Sequence, residues 1–403
     1  SRERTTAALV AMRDEALAAV GPKGPEYTVA EERPDPDPDT HVTYVLQMKV
    51  PLYLDKAEPG GTLVRGADGR PKQNGWAEFP VVVHVPKSAM AEGAAPAALV
   101  QNGHGLLGSR NEGDGGYLTM IGNAKNYVTF SVDFVGMAHD DVSTFLDAMG
   151  GDIGHFDAVV GRQHQGLVNS LLAMRMMKGR FAEDQAKALG RPLVDPTLCF
   201  YRGDSQGGIF GGTYVAISTD VTRGLLSVPG APYSILLNRS EDFGPFFTLL
   251  GAVYPSALDL QLTIGFAQML WDETEPNGYI ASMTDAPLPG TPPHHVLIQS
   301  ALGDHQVGEL GAHYLARAVK ATLVTPAVRP IHGLVERAAP FAGSAIVELD
   351  YGNPPDPIED RPPTGGEDPH EKVRRQKEAY DQADVFFRTG EVVQTCAGAC
   401  VFE

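Results

Sequence analysis

From residue 97 onward, short apolar runs alternate with longer stretches of helical character. The runs are "AALVQN" (97–102), "YVTFSVD" (127–133), "TLCFYRG" (197–203), "RGLLSVPG" (223–230), "HHVLIQSA" (294–301) and "AIVELDYG" (345–352). Helical stretches fall near 158–178, 206–219, 305–320 and 371–388. Strand–helix alternation of this kind predicts an α/β fold with a mostly parallel central sheet flanked by helices on both faces. Ahead of it, 6–20 reads as an amphipathic helix ended by "GPKGP", and 41–54 and 76–86 read as antiparallel strands. Residues 1–75 are therefore expected to form an N-terminal helix and β layer on a body made of 76–232 and 291–403. Residues 233–290 interrupt the alternation with aromatic-rich, strandless sequence, which predicts a helical lid insertion.

Several function classes drop out early. A net charge of -18 across 403 residues would be repelled by a phosphate backbone, so no nucleic-acid partner is expected. No apolar run reaches the roughly 18 residues of a membrane span. The Asp/Pro alternation at 35–40 reads as an extended linker rather than a calcium site, and 353–369 as a Pro-rich loop. Cys396 and Cys400 have the spacing to close a small disulfide loop near the end of the chain, whereas Cys199 sits in a strand as a core thiol. The bridge predicts a periplasmic or secreted location. The chain as given opens on Ser1 with no signal-peptide pattern, which predicts a processed or trimmed form. No metal or cofactor is expected, since no second Cys/His pair stands near the cysteines at ligand spacing. Nothing in the sequence sets the oligomeric state.

The chemistry centres on "GDSQGG". In a chain with 45 glycines, G-x-S-x-G should occur by chance about 0.2–0.3 times, so its context must decide. Here Ser205 falls between a strand and a helix, where a sharp turn lifts a hydroxyl above the sheet. Gly203 and Gly207 permit the close strand–helix approach, and the Gln206 N–H begins the helix where an oxyanion would sit. A serine also needs a second oxyanion donor, a base and an acid. After the strand at 97–102, "NGHGLLG" offers the Leu106 N–H beside His104 and Gly105. Asp304 follows a later strand, where a helix cap explains it equally well; His305 beside it should face elsewhere. His370 comes last, in "DPHEKVRR", with Asp368 as helix cap and Pro369 at the first helical position. In that first turn the helix dipole favours neutral imidazole, while Asp304 would pull the other way. His104, His139 and His332 are the rival bases.

In the order "NGHGLLG", "GDSQGG", "GDHQV", "DPHEKVRR", these motifs resemble the α/β-hydrolase superfamily over roughly 76–390, and within it secreted bacterial esterases and lipases. The resemblance implies an α/β-hydrolase fold and a serine hydrolase of carboxylic esters. Ser205 would be its nucleophile, His370 its base and Asp304 its acid, with Leu106 and Gln206 as the oxyanion donors. Amidase, peptidase, lactonase or polyester hydrolase activity would use the same residues. A non-catalytic binding protein on the same fold is the reading from another class. The expected substrate is a small-molecule, lipid-like or polymeric ester. Phe243, Phe246, Phe247, Phe266, Met269 and Trp271 of the insertion are candidates for an apolar substrate surface or for packing the insertion onto the body; Phe246, Phe247, Met269 and Trp271 are carried forward as candidate substrate contacts.

Overall fold

The computed structural model describes residues 2–402. In chain order its strands are β1 Tyr27–Pro34, β2 Thr40–Pro51, β3 Trp76–Pro86, β4 Ala97–Gly103, β5 Tyr127–Val132, β6 Val194–Asp204, β7 Arg223–Ser227 and β8 His295–Ala301. They are followed by β9 Thr322–Thr325, β10 Val335–Ala338, β11 Phe341–Ala342, β12 Ala345–Leu349 and β13 Glu391–Val392. Eleven strands form one sheet in the order β1-β2-β3-β5-β4-β6-β7-β8-β12-β9-β10, while β11 and β13 pair separately. The contacts β1/β2, β2/β3 and β3/β5 are antiparallel, and every later pairing in the large sheet is parallel. From β2 onward this is the α/β-hydrolase arrangement, and the antiparallel N-terminal strands join its edge.

β4 and β5 are buried along their whole length, as expected of strands covered on both faces. The helix Phe156–Met176 crosses one face and is almost wholly buried. Lys377–Thr389 covers the other, setting Phe387 in a stack 5.0 Å from Phe200 of β6. The first helix, Arg2–Val20, is seated by Arg13, whose fully buried guanidinium donates to the carbonyls of Ile217 and Pro289. Among the described residues no single helix is long and apolar enough to cross a membrane, and no three His, Cys, Asp or Glu side chains are grouped as metal ligands.

The stretch read as one helix over 371–388 is two, His370–Val373 and Lys377–Thr389, broken at Arg374–Gln376. The sequence reading also passed over β1, β9 and β10, together with the helices Gly116–Lys125, Val142–Gly150 and Ala182–Leu189. Cys396 and Cys400 form a disulfide. The Cys199 thiol is buried against the Pro196 carbonyl, and burial pushes its pKa up to about 12.

Between β7 and β8, the insertion is helical at Tyr233–Leu236, Gly244–Val253 and Ala257–Trp271. Its inner side carries Glu275, fully buried and hydrogen-bonded by Gln268 Nε2 at 2.6 Å; burial, with Asp272 nearby, raises its pKa to about 8. The folded chain thus holds this proton over a range where the unfolded chain has released it, so stability falls as pH rises from about 4.5 towards 8. Glu275→Gln should remove that loss, raising stability by several kcal/mol at pH 8 and by little at pH 4. Urea melts at the two pH values check it.

Candidate active site

The sheet delivers the site at the carboxyl ends of its parallel strands. β6 ends at Asp204 and a helix starts at Gln206, leaving Ser205 alone in the turn with φ 61 and ψ -125. That left-handed region costs a residue with a Cβ about 1–3 kcal/mol, and the surroundings hold it there. The Ser205 N–H donates to Ser227 O of β7 at 3.0 Å, and the Tyr201 hydroxyl donates to Gly207 O at 2.6 Å. The two flanking glycines are needed for space. A Cβ on Gly203 would lie 2.2 Å from Gly207 O, and one on Gly207 would lie 2.2 Å from Gly103 O.

Asp304 sits in the turn after β8. Its Oδ1 accepts the N–H groups of Gln306 and Val307, each at 2.9 Å, so the cap reading of this residue describes one of its two tasks. The other is His370, whose Nδ1 lies 2.9 Å from Oδ1 and 2.8 Å from Oδ2, with both side chains 1% exposed. A carboxylate only accepts, so Nδ1 carries the proton. Nε2 is left with its lone pair, buried and without a hydrogen-bond partner among the described residues. Burial alone would lower the imidazole's pKa, but the charge and hydrogen bond of Asp304 outweigh it and the net direction is upward. Of the two opposed influences read from sequence, Asp304 prevails over the helix start; His370 opens a segment of only four residues. Asp368 accepts from the N–H groups of His370 and His305 and from Gln306 Nε2, joining the two loops.

The loop after β4 is built around His104. This fully buried ring accepts from the Phe134 N–H at Nε2 (2.8 Å) and so donates from Nδ1 to Gly105 O (2.9 Å). The Gly105 N–H is taken by Glu112 Oε2 at 2.8 Å, and Leu107 holds φ 48. Leu106 lies between them on the cleft. The Gln206 N–H, first in its helix, has no intrahelical acceptor, while its side chain donates to Met137 O at 3.0 Å.

Gly105, Leu106, Ser205 and His370 line one cleft of about 350 Å³. The rest of its wall is polar: Glu112, Asp242, Gln306, Glu371 and Arg374. Burial raises the pKa of Asp242, and the acidic neighbours Asp368, Asp304 and Glu241 add to the shift, against His370, which lowers it. Beneath the elbow, Asp204 accepts from the Tyr117 hydroxyl at 2.9 Å and Arg202 Nη2 at 2.7 Å. Burial would raise its pKa, yet the guanidiniums of Arg202 and Arg374 bring it down to about 2. Arg374, four residues past His370, thereby couples the histidine segment to the serine turn.

The aromatic candidates of the insertion lie elsewhere. Trp271 is buried, stacked on Tyr233 at 4.1 Å, and Phe246 packs edge-on to Phe145 at 5.0 Å. Phe247 is half-buried against the core, and Met269 is exposed to solvent. None of the four is among the residues lining the cleft over Ser205. The polar wall went unseen because its residues come from four separate segments, with no spacing relating them to Ser205. Of the rival histidines, His139 opens a short 3-10 turn, and His332 supplies its carbonyl to Arg317. His305 turns towards Gly365 O and Glu241.

No protein-family model matches the chain, and no curated protein matches it. Solved structures do resemble its backbone. Acetyl xylan esterase 1 from Thermoanaerobacterium is 14% identical, with a TM-score of 0.48, over 89% of this chain and 90% of that one. The carboxylesterase EstE1, from a metagenomic library, is 15% identical with a TM-score of 0.41, over 97% of each chain. The acylaminoacyl peptidase of Pyrococcus horikoshii is 12% identical with a TM-score of 0.40, over 94% of this chain and 51% of that one.

Proposed function

We propose that this chain is a serine hydrolase of carboxylic esters. Ser205 Oγ attacks the acyl carbonyl as His370 Nε2 takes its proton, and the N–H groups of Leu106 and Gln206 receive the tetrahedral oxyanion. The proton then passes to the departing alkoxide, leaving an acyl-serine and free alcohol. Water, deprotonated by His370, attacks that ester and releases the acid. Asp304 holds the ring and stabilises the imidazolium. The observation that carries this reading is the His370 ring, gripped at Nδ1 by both oxygens of Asp304 with Nε2 unpartnered, on the same cleft as a serine held at φ 61. The disulfide between Cys396 and Cys400 supports a periplasmic or extracellular setting.

A fluorophosphonate probe tests the chemistry. It should phosphonylate the peptide containing Ser205, as read by mass spectrometry; a label on another residue, or none, overturns the assignment. A panel of esters, amides and lactones then ranks the bonds cleaved, with esters expected first.

The polar wall supports a short acyl group and a hydroxylated or charged alcohol rather than a long hydrocarbon chain. Each methylene left without apolar cover forgoes about 0.8 kcal/mol of burial. The value of kcat/KM should therefore gain nothing from p-nitrophenyl acetate or butyrate to the decanoate. Rates that rise along the series would point to an apolar acyl channel.

A further inference from the structure

The insertion presents apolar side chains outward as well as inward. Helix Ala257–Trp271 buries Ile264, Ala267, Gln268 and Trp271, while its other face exposes Leu258 (69%), Leu262 (51%), Phe266 (67%) and Met269 (67%). These four recur at spacings of four, four and three, the seam of a helix that packs against another helix. The preceding helix, Gly244–Val253, adds exposed Leu249 and Val253. Across 244–271 the only charged side chain is Asp259, in a chain of net charge -18.

Two glycines make a second, separate observation. Gly251 and Gly265 lie inside these helices, and a Cβ on either would meet nothing within 4 Å. Glycine weakens a helix interior, and packing within this chain gives no reason for it at either place. A neighbouring helix approaching closely does give one.

We propose that this face joins two copies of the chain about a twofold axis, with the 257–271 helices in contact. The seam Leu258, Leu262, Phe266 and Met269 would interlock with its own copy, and Gly265 would let the two backbones close. At on the order of 100 Å² each, the six exposed side chains amount to roughly 600 Å² per copy, most of the ~800 Å² that a stable interface takes from each partner. That stands at the upper end of the largest apolar patch found on typical monomers. The charge distribution fits the same occupant. Two chains this acidic meet with least repulsion across an uncharged face, and an isologous contact pairs the patch with itself. A lipid surface fits less well, because interfacial helices draw on Lys and Arg and 244–271 has neither.

Sedimentation velocity of the full chain at micromolar concentration tests this. The wild type should sediment as a dimer, and Phe266→Glu should weaken the dimer about 30-fold or more. Gly265→Leu should do the same by blocking close approach, and because its site is open in the single chain it controls for misfolding, read by melting and by buried Trp271 fluorescence. A wild type that stays monomeric, or a dimer that survives both variants, overturns the proposal. Flotation of a monomeric wild type with phosphatidylcholine vesicles would assign the face to lipid instead. Each readout is independent of enzymatic activity, so the proposal fails or stands apart from the function proposed above.

Discussion

Ser205→Ala is expected to lower kcat for a short p-nitrophenyl ester by roughly 10⁶-fold, to the level left by binding and oxyanion contacts alone. The same variant should lose all fluorophosphonate labelling. Its melting temperature should stay near that of the wild type, because alanine keeps the Cβ and so keeps the cost of φ 61. Ser205→Gly separates the two properties of this position. It removes the hydroxyl and relieves the left-handed strain, so it should be equally inactive yet about 1 kcal/mol more stable. Retained turnover in either variant would remove Ser205 from the mechanism. An alanine variant that unfolds would show the hydroxyl to be structural.

Asp304→Asn is the second large effect, expected to be on the order of 10⁴-fold in kcat. Asparagine can donate as well as accept, so the tautomer with the proton on Nδ1 is no longer imposed, and Nε2 ceases to be the reliable base. The pH profile carries an independent signature. The proposed mechanism needs neutral His370, whose pKa stands above the ordinary histidine value because Asp304 outweighs burial. Wild-type kcat/KM should therefore fall as pH drops through a point above 6.5. Without the Asp304 carboxylate, burial and the Arg374 charge are opposed only by the weaker influence of Asp368, so the residual activity should persist to lower pH. An acid limb that stays in place would mean that another group titrates.

The same residues show what can be read before a structure exists. Ser205, Asp304 and His370 were legible because each stands just past an apolar run or at a helix start, and backbone topology alone converts those positions into neighbours at one sheet edge. The parallel strands from β4 to β8 were legible for the same reason, as apolar runs that are mostly buried. β9 and β10 were not, being four residues each and, in β10, exposed throughout. Glu112, Asp242 and Arg374 have charged side chains on loops, and periodicity carries no information about which way such loops fold. The aromatics of 233–290 erred in the other direction. Their number measures how much surface an insertion must bury, and Trp271 and Phe246 meet that need in the core rather than over Ser205. The direction of the His370 shift follows the contact with Asp304 at 2.8 Å, which the sequence does not show.

The hydrogen bond from Ser205 N to Ser227 O has a consequence for how such a molecule ages and fails. It makes Ser205 the last rung of the β6/β7 ladder, so the position of its hydroxyl is set by the registration of two strands rather than by a loop. Any loosening between those strands, far too slight to register as unfolding, lets the turn relax out of its costly conformation and carries the oxygen away from His370. Under the proposed mechanism, turnover therefore acts as a gauge of sheet integrity, and on heating it should fade before the bulk of the protein melts.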